Sequence, residues 1–186
     1  MMQKHHVRAK ALDDSLSNCI FKEIITSLDP FGMVFIQSDI DSLETFRYSI
    51  DDEIGNKTEE FFTSFSTIFR SRSKEMVEQL KNVSLDDIKI NEKDSLFYGK
   101  KDFPVFSESK EERDKRYYRY LKSKLLDRIF EKDSSINPIY KTKYSDAGDL
   151  ISAEFESVIQ HEQRRLQYYE NHSMGYINIM KLLYLN

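Results

Sequence analysis

The chain has 186 residues, which suits one globular domain, and its formal net charge of -4 gives no overall attraction to nucleic acid or to anionic membranes. Charged residues make up 32% of the sequence and there are only 5 Gly and 3 Pro, which argues against a turn-rich β-sandwich. One cysteine excludes an internal disulfide, and no apolar run approaches the roughly 18 residues of a membrane-spanning helix. We therefore predict a mainly α fold, an irregular domain of about five to six helices with one long spine helix and a long aromatic loop.

The polar, basic residues 1–11 are interpreted as an N-terminal lead-in to a single helical domain over 12–186. A first helix is predicted to begin at Asp13 or Asp14, and it carries one apolar stripe: Leu16, Ile20, Phe21, Ile24, Ile25 and Leu28. The corner Asp29-Pro30-Phe31-Gly32 ends it, because proline disfavours helical geometry in the preceding residue and glycine permits a tight turn. The apolar residues 33–36 then predict a short extended piece.

Two further helices are predicted in the first half of the chain. The first starts at a capping-box-like pair, Ser38 and Asp41, and continues to Ile54 with one apolar side: Ile40, Leu43, Phe46 or Arg47, Ile50 and Ile54. After a turn at 55–57, Thr58 is the predicted N-cap of the second, and Glu59 and Glu60 fall in its first turn. This second helix extends to about residue 83, roughly 37 Å, and is the predicted spine.

The second half begins with a loop over 84–106, in which the aromatic segment 103–106 is predicted to anchor the chain to the core. A helix then starts near Ser107 or Ser109, the latter paired with Glu112, and runs to about 132 with one buried side: Tyr117, Leu121, Leu125 and Ile129. Residues 133–138 end it. Another helix opens at Asp146 or Asp149 with Ile151, Phe155, Val158, Ile159, Glu162 and Leu166 on one side, and a break at 170–173 precedes a last helical segment. Because this segment ends in an apolar run over 180–185, we expect that the natural polypeptide continues or that this end docks tightly.

No motif of catalytic, cofactor-binding or metal-binding chemistry stands out. His161-Glu162 begins like a zinc-protease helix, but Arg165 stands where the second histidine would return to the same face. His5 and His6 have no further ligand at a useful spacing. We therefore predict no catalytic, cofactor or metal residue and no cofactor.

A basic, tyrosine-rich segment lies within the helix predicted over 108–132. It contains Lys110, Arg113, Lys115, Arg116, Arg119, Lys122 and Lys124, interleaved with Tyr117, Tyr118 and Tyr120. Such a segment could hold a phosphate backbone and stack bases. The other interpretation is a solvated helix face whose tyrosines pack inward and whose charge is balanced by Glu108, Glu111, Glu112 and Asp114. A stand-alone module that binds protein or single-stranded nucleic acid is therefore the alternative function.

The most specific pattern lies at the N-terminal end of the predicted domain. It consists of Leu12-Asp13-Asp14-Ser15-Leu16-Ser17, Ile20-Phe21, Leu28-Asp29-Pro30 and Val34-Phe35-Ile36-Gln37-Ser38-Asp39-Ile40. In order and spacing it resembles the N-terminal helical domain of the tail-specific proteases, also called C-terminal-processing serine peptidases. The segment 117–126 is similar to a later part of that domain, although the family often has Trp where Tyr117 stands.

The resemblance implies a non-catalytic scaffold lobe of an exported bacterial protease, in the periplasm. In the family, a PDZ domain and a peptidase domain with a serine–lysine dyad follow, and none of that sequence is present here. The implied partners are the PDZ and peptidase domains of the same polypeptide, protein or peptide substrates, and an adaptor protein as a further option. No nucleic acid partner is expected. The chain alone is expected to be inactive, and an independent hydrolase is the weaker alternative.

Overall fold

The computed structural model describes the backbone of residues 13–56, 58–90, 92–96, 103–132 and 148–185, and their side chains except those of 54, 55, 173, 174 and 176–185. These ranges contain seven helices and no strand: α1 (Asp14–Leu28), α2 (Gln37–Glu44), α3 (Ile50–Asn56), α4 (Glu60–Leu80), α5 (Leu85–Ile88), α6 (Lys110–Lys132) and α7 (Gly148–Leu185). The predicted mainly α class is confirmed. The division into a lead-in over 1–11 and one domain over 12–186 stays a prediction.

The first helix and the corner that follows it agree with the sequence pattern. Asp13 caps α1, since its carboxylate accepts the backbone amide of Leu16 at 3.0 Å. The corner is closed by Asp29, whose buried carboxylate accepts the three backbone amides of 33–35 at 2.7, 2.9 and 3.0 Å. Gly32 has a φ of 60°, and a Cβ there would collide with the carbonyl group of Val105. The sequence indicated the corner through its proline and glycine, but not the role of the aspartate.

The second predicted helix is divided in two, so that prediction was wrong in its length and in its cap. Asp39, rather than the Ser38–Asp41 pair, supports the start of α2, because its Oδ2 accepts the amide of Ile36 at 3.0 Å. Turns at 45–49 separate α2 from α3. There the chain is redirected onto α1: Arg47 Nε donates to Asn18 Oδ1 at 2.8 Å.

The start of α4 also differs from the prediction. The predicted turn is in part helical, since α3 continues to Asn56, while residue 57 lies outside the described residues. Thr58 does not cap α4. Glu53 does so instead, because both of its carboxylate oxygens accept the amide of Phe61, at 2.9 and 3.0 Å. A side chain of the preceding helix can replace a local cap where that helix ends beside the start of the next.

Helix α4 packs against α7, which is the longest helix of the described part. The predicted spine, α4, ends at Leu80 and measures about 32 Å, whereas the 38 residues of α7 span about 57 Å. The break predicted at 170–173 was wrong, because α7 passes through it without interruption. Local helix propensity is weak there, but packing on α4 overrides it: the ring of Tyr169 lies 5.5 Å from that of Phe69.

The segment between α4 and α6 is partly folded onto the core. Its first part contains the single turn α5 and the buried side chains of Ile88 and Ile90. The predicted anchor is confirmed for its aromatic residues: Phe106 is buried and its ring lies 5.8 Å from that of Phe103. Residues 97–102 and 133–147, the latter including the predicted helix end at 133–138 and the predicted start at Asp146, lie outside the described residues.

Helix α6 follows its sequence pattern closely. Ser109 caps it by accepting the amide of Glu112 at 3.2 Å, and the four predicted apolar positions, Tyr117, Leu121, Leu125 and Ile129, are buried. Contacts between α6 and α7 run from Arg128 with Ser157 to Tyr120 with Glu162, so the two helices are antiparallel. Their facing sides border the cleft described next.

Candidate functional site: the cleft between α6 and α7

Many cations of the basic, tyrosine-rich segment have partners within the chain. Lys110 pairs with Glu75 at 3.0 Å, and Arg119 pairs with Asp94 at 3.1 Å. Lys122 is buried and donates to a backbone carbonyl of the segment before α6. These contacts tie α6 to α4 and to the 92–96 segment, so they serve the fold and reduce the charge that is free for a ligand.

Arg113 is the most deeply buried cation, with a side chain 0% exposed. Its Nη2 lies 2.8 Å from Asp114 and 3.4 Å from Glu75, and its Nη1 donates to the carbonyl of Val34 at 3.4 Å. Burial alone would raise the pKa of Glu75, but hydrogen bonds from Lys110 and Arg72, with the nearby charge of Arg113, lower that pKa overall. Arg113 therefore joins α4, α6 and the corner after α1.

The tyrosines of the segment divide between the interior and the surface. Tyr117 and Tyr120 are buried, and their rings stack with centroids 5.8 Å apart. Tyr118 is partly buried. Two of the three rings that could stack on bases are therefore inside the protein, as the inward-packing interpretation of the sequence expects.

A charged cleft of about 320 Å³ opens between α6 and α7. Its α6 side consists of Tyr120, Lys124, Asp127, Arg128 and Glu131. Its α7 side consists of Val158, His161, Glu162 and Arg165. The lining thus combines three Lys or Arg cations, three carboxylates, one histidine, one tyrosine and one aliphatic side chain.

Glu162 is the buried acid of the cleft, only 3% exposed. Its Oε2 accepts the hydroxyl of Tyr117 at 3.0 Å and two guanidinium nitrogens of Arg165, Nε at 3.0 Å and Nη2 at 2.7 Å. Its Oε1 accepts the hydroxyl of Tyr120 at 3.4 Å. The sequence placed this residue on the apolar side of its helix, and a charged residue in such a stripe is the signal that could have pointed to the cleft.

Electrostatics at Glu162 act on its neighbours. Burial, together with the negative charge of Glu162, raises the pKa of the Tyr117 hydroxyl well above its ordinary value. Burial would lower the pKa of Arg165, but the same carboxylate raises it above its ordinary value. Tyr117 is therefore neutral and Arg165 charged at neutral pH, which keeps the hydrogen-bond pattern unchanged.

The cations of the cleft differ in how they are held. Arg128 donates to Ser157 Oγ at 2.8 Å and lies 3.5 Å from a carboxylate oxygen of Glu154. Lys124 is exposed, and its ammonium lies 5.5 Å from the ring centre of Tyr120. No carboxylate of the described residues forms an ion pair with Lys124.

The histidine that suggested a zinc motif lies at this cleft, where His161 is exposed beside the buried Glu162. Within the part of the chain that the structure describes, no group of three metal-ligating side chains comes together. In the same part, no helix has the length and apolar character needed to cross a membrane. The predicted lack of catalytic, cofactor and metal residues stays a prediction.

Comparison with known proteins relates the chain to a protein family. Neither a curated protein nor a solved structure matches the chain. The family described as tail specific protease N-terminal domain matches residues 1–178. The match includes the pattern from Leu12 to Ile40, all of α1 to α6 and most of α7. The chain therefore belongs to the family of tail-specific protease N-terminal domains.

Proposed function

We propose that the chain is a non-catalytic scaffold domain of a serine-type tail-specific peptidase that degrades exported proteins in a bacterial periplasm. In this role it helps to enclose the substrate or to dock an adaptor, next to the PDZ and peptidase domains of the same polypeptide. Family membership is the observation that carries the proposal. Family membership supports a link to a tail-specific protease. The scaffold role is supported by the contacts within the fold.

Hydrogen bonds and ion pairs connect the three long helices, which supports the scaffold role. Glu75 on α4 bonds to Lys110 and Arg113 on α6, and Glu162 on α7 bonds to Tyr117 and Tyr120 on the same α6. Bonded side chains in a packed interior hold helices in one arrangement. A lobe held in this way suits the wall of an enclosure.

The buried ionisable groups make contacts within the fold, which also supports the scaffold role. The buried carboxylates of Asp29, Asp39 and Glu53 accept backbone amides at helix starts and corners. Arg113 and Glu162 bond to other side chains of the core. Side chains engaged in this way stabilise the fold, which agrees with a domain that leaves bond cleavage to another part of the enzyme.

The test compares the chain alone with the complete polypeptide that its gene encodes, on peptides with free C-termini. We expect no cleavage by residues 1–186 and cleavage by the complete polypeptide, abolished when its peptidase serine is replaced by alanine. Activity of the chain alone would favour an independent hydrolase. A gene that encodes no PDZ or peptidase segment would remove the claim that the chain is part of an enzyme.

The nucleic-acid alternative has less support, because Tyr117 and Tyr120 are buried and several cations of α6 are paired within the chain. It predicts salt-sensitive binding of single strands that is lost when Arg116 and Arg119 are replaced by Glu. An absence of binding at low salt would reject it.

A further inference from the structure

Glu162 keeps unused hydrogen-bonding capacity in the cleft. Its Oε2 is shared by Tyr117 and Arg165 at 2.7 to 3.0 Å, whereas its Oε1 accepts one long hydrogen bond among the described residues, from Tyr120 at 3.4 Å. A carboxylate oxygen has two acceptor positions, and buried polar atoms are usually satisfied. The cleft therefore contains a buried acceptor that can take one more N–H donor.

Lys124 supplies the opposite charge. Its ammonium stands over the ring of Tyr120 and has no ion-pair partner among the described residues, and Tyr120 also bonds to Glu162. Lys124, Tyr120 and Glu162 thus line the same cleft, with the ammonium and the Oε1 atom on either side of the shared tyrosine. A ligand that satisfies both must carry an N–H donor and an anionic group close together.

The balance of charge narrows the class of ligand. The lining holds three cations, Lys124, Arg128 and Arg165, and three anions, Asp127, Glu131 and Glu162. With the histidine of the lining counted as neutral, it has no net formal charge. A phosphate ester or a polyamine carries a net charge that the lining cannot balance, so its desolvation on binding is not offset. A neutral molecule with separated charges has a smaller uncompensated desolvation cost in such a site.

The size of the cleft sets a further limit. Its volume of about 320 Å³ is at the lower end of the range for small-molecule sites. The buried side chain of Val158 offers a small apolar contact beside the charged groups. A molecule of one or two amino acid residues fits this volume.

We propose that the cleft between α6 and α7 binds a small zwitterion, with its ammonium at Glu162 and its carboxylate at Lys124, as a free amino acid or a dipeptide would present them. The inference rests on the cleft alone and is independent of the role in proteolysis, so either proposal can fail without the other.

The experiment titrates the ¹⁵N-labelled chain with L-alanyl-L-alanine and, separately, with L-alanine, and follows backbone amide shifts in NMR spectra. We expect saturable shifts in 120–131 and 158–165 with a dissociation constant of about 1 mM for the better ligand. The two titrations decide between a dipeptide and a free amino acid. The N-acetylated and C-amidated dipeptides should each bind at least about tenfold more weakly.

A pair of variants provides the matched control. Lys124→Met should weaken binding about fivefold, whereas Lys115→Met, an exposed lysine of the same helix outside the cleft, should leave it unchanged. The proposal is overturned if neither ligand gives saturable shifts up to about 50 mM, if the blocked dipeptides bind equally well, or if both variants have the same effect.

Discussion

Two buried carboxylates hold two different regions of this protein. Asp29, at the corner after α1, is satisfied by backbone amides no more than 6 residues away. Glu162, in the cleft, is satisfied by tyrosines of α6 that are 45 and 42 residues away and by Arg165 on its own helix. A carboxylate that accepts hydrogen bonds from nearby backbone amides stabilises a compact local turn. Glu162 is instead held by side chains of α6 and α7, and the cleft between these two helices is the proposed ligand site.

The largest expected effect comes from removing the local carboxylate. Asp29→Ala should lower the free energy of unfolding by more than about 3 kcal/mol, because three buried amides lose their acceptor. Urea denaturation followed by circular dichroism measures this. Asp13→Ala is the matched control: it removes one bond to a backbone amide at an exposed helix start and should cost about 1 kcal/mol. Equal losses in the two variants would show that the corner does not depend on its aspartate.

Gly32→Ala tests the corner without touching its hydrogen bonds. We expect a loss of about 2 to 3 kcal/mol, because alanine is strained at a φ of 60° and its Cβ would press on the backbone of Val105. Gly175→Ala in α7 is the control, since a Cβ there meets nothing within 4 Å. This change should raise the free energy of unfolding by about 0.5 to 1 kcal/mol, because alanine favours a helix more than glycine does. Thermal melts of both variants compare the two changes, and a stabilising Gly32→Ala would refute the proposed strain.

For the cleft, Glu162→Gln should lower the free energy of unfolding by about 2 kcal/mol, because the partly exposed Arg165 loses its anionic hydrogen-bond partner while the shape of the side chain is kept. The same change should bring the pKa of Tyr117 down towards its ordinary value, although burial keeps it raised. Because the chain has 11 tyrosines, residue-resolved NMR of the Tyr117 ring during an alkaline titration measures that pKa. Glu131→Gln, at an exposed position of the cleft, should change stability by less than about 0.5 kcal/mol. An unchanged titration in Glu162→Gln would contradict the coupling.

The smallest expected effect concerns the ion pairs of Glu75. The pKa of Glu75 is lowered in the folded chain. Its contribution to the free energy of unfolding is therefore fully present above the unfolded-state pKa of 4.5 and is lost as the pH falls through the folded-state pKa. Glu75→Gln should therefore cost about 1 kcal/mol or less above about pH 5, and the difference from the original chain should shrink below that pH. Urea midpoints measured between about pH 3 and pH 7 test this. A difference that does not vary with pH would contradict it.

Local patterns predicted the parts of the fold whose bonds are local. The apolar stripe and cap of α1, and the cap at Ser109 with the buried side of α6, were confirmed because the residues that decide them lie within one or two helical turns. The caps of α2 and α4 were assigned wrongly. Glu53 reaches Phe61 from the previous helix, and such a contact has no fixed spacing in sequence.

The cleft shows the same division. Glu162 stood in an apolar stripe, and Arg113 lies one turn before Tyr117 on the buried side of α6. Both positions could have indicated buried charge, but Arg113 was assigned only to the basic segment. Neither pattern revealed the partners. The continuity of α7 was also missed, because a polar stretch favours a break unless another helix packs beside it.

The amino-acid sequence by itself determined the helical class, the corner with its proline and glycine, and the pattern from Leu12 to Ile40 that indicated the family. Only the tertiary structure decided that α7 is one helix and that buried acidic side chains accept the backbone amides at the starts of α2 and α4. It also decided that Tyr120, Lys124 and Glu162 line one cleft. The physical reason is the sequence distance over which each kind of interaction acts. Periodicity and capping act within a few residues, whereas burial and ion pairing depend on which helices lie side by side.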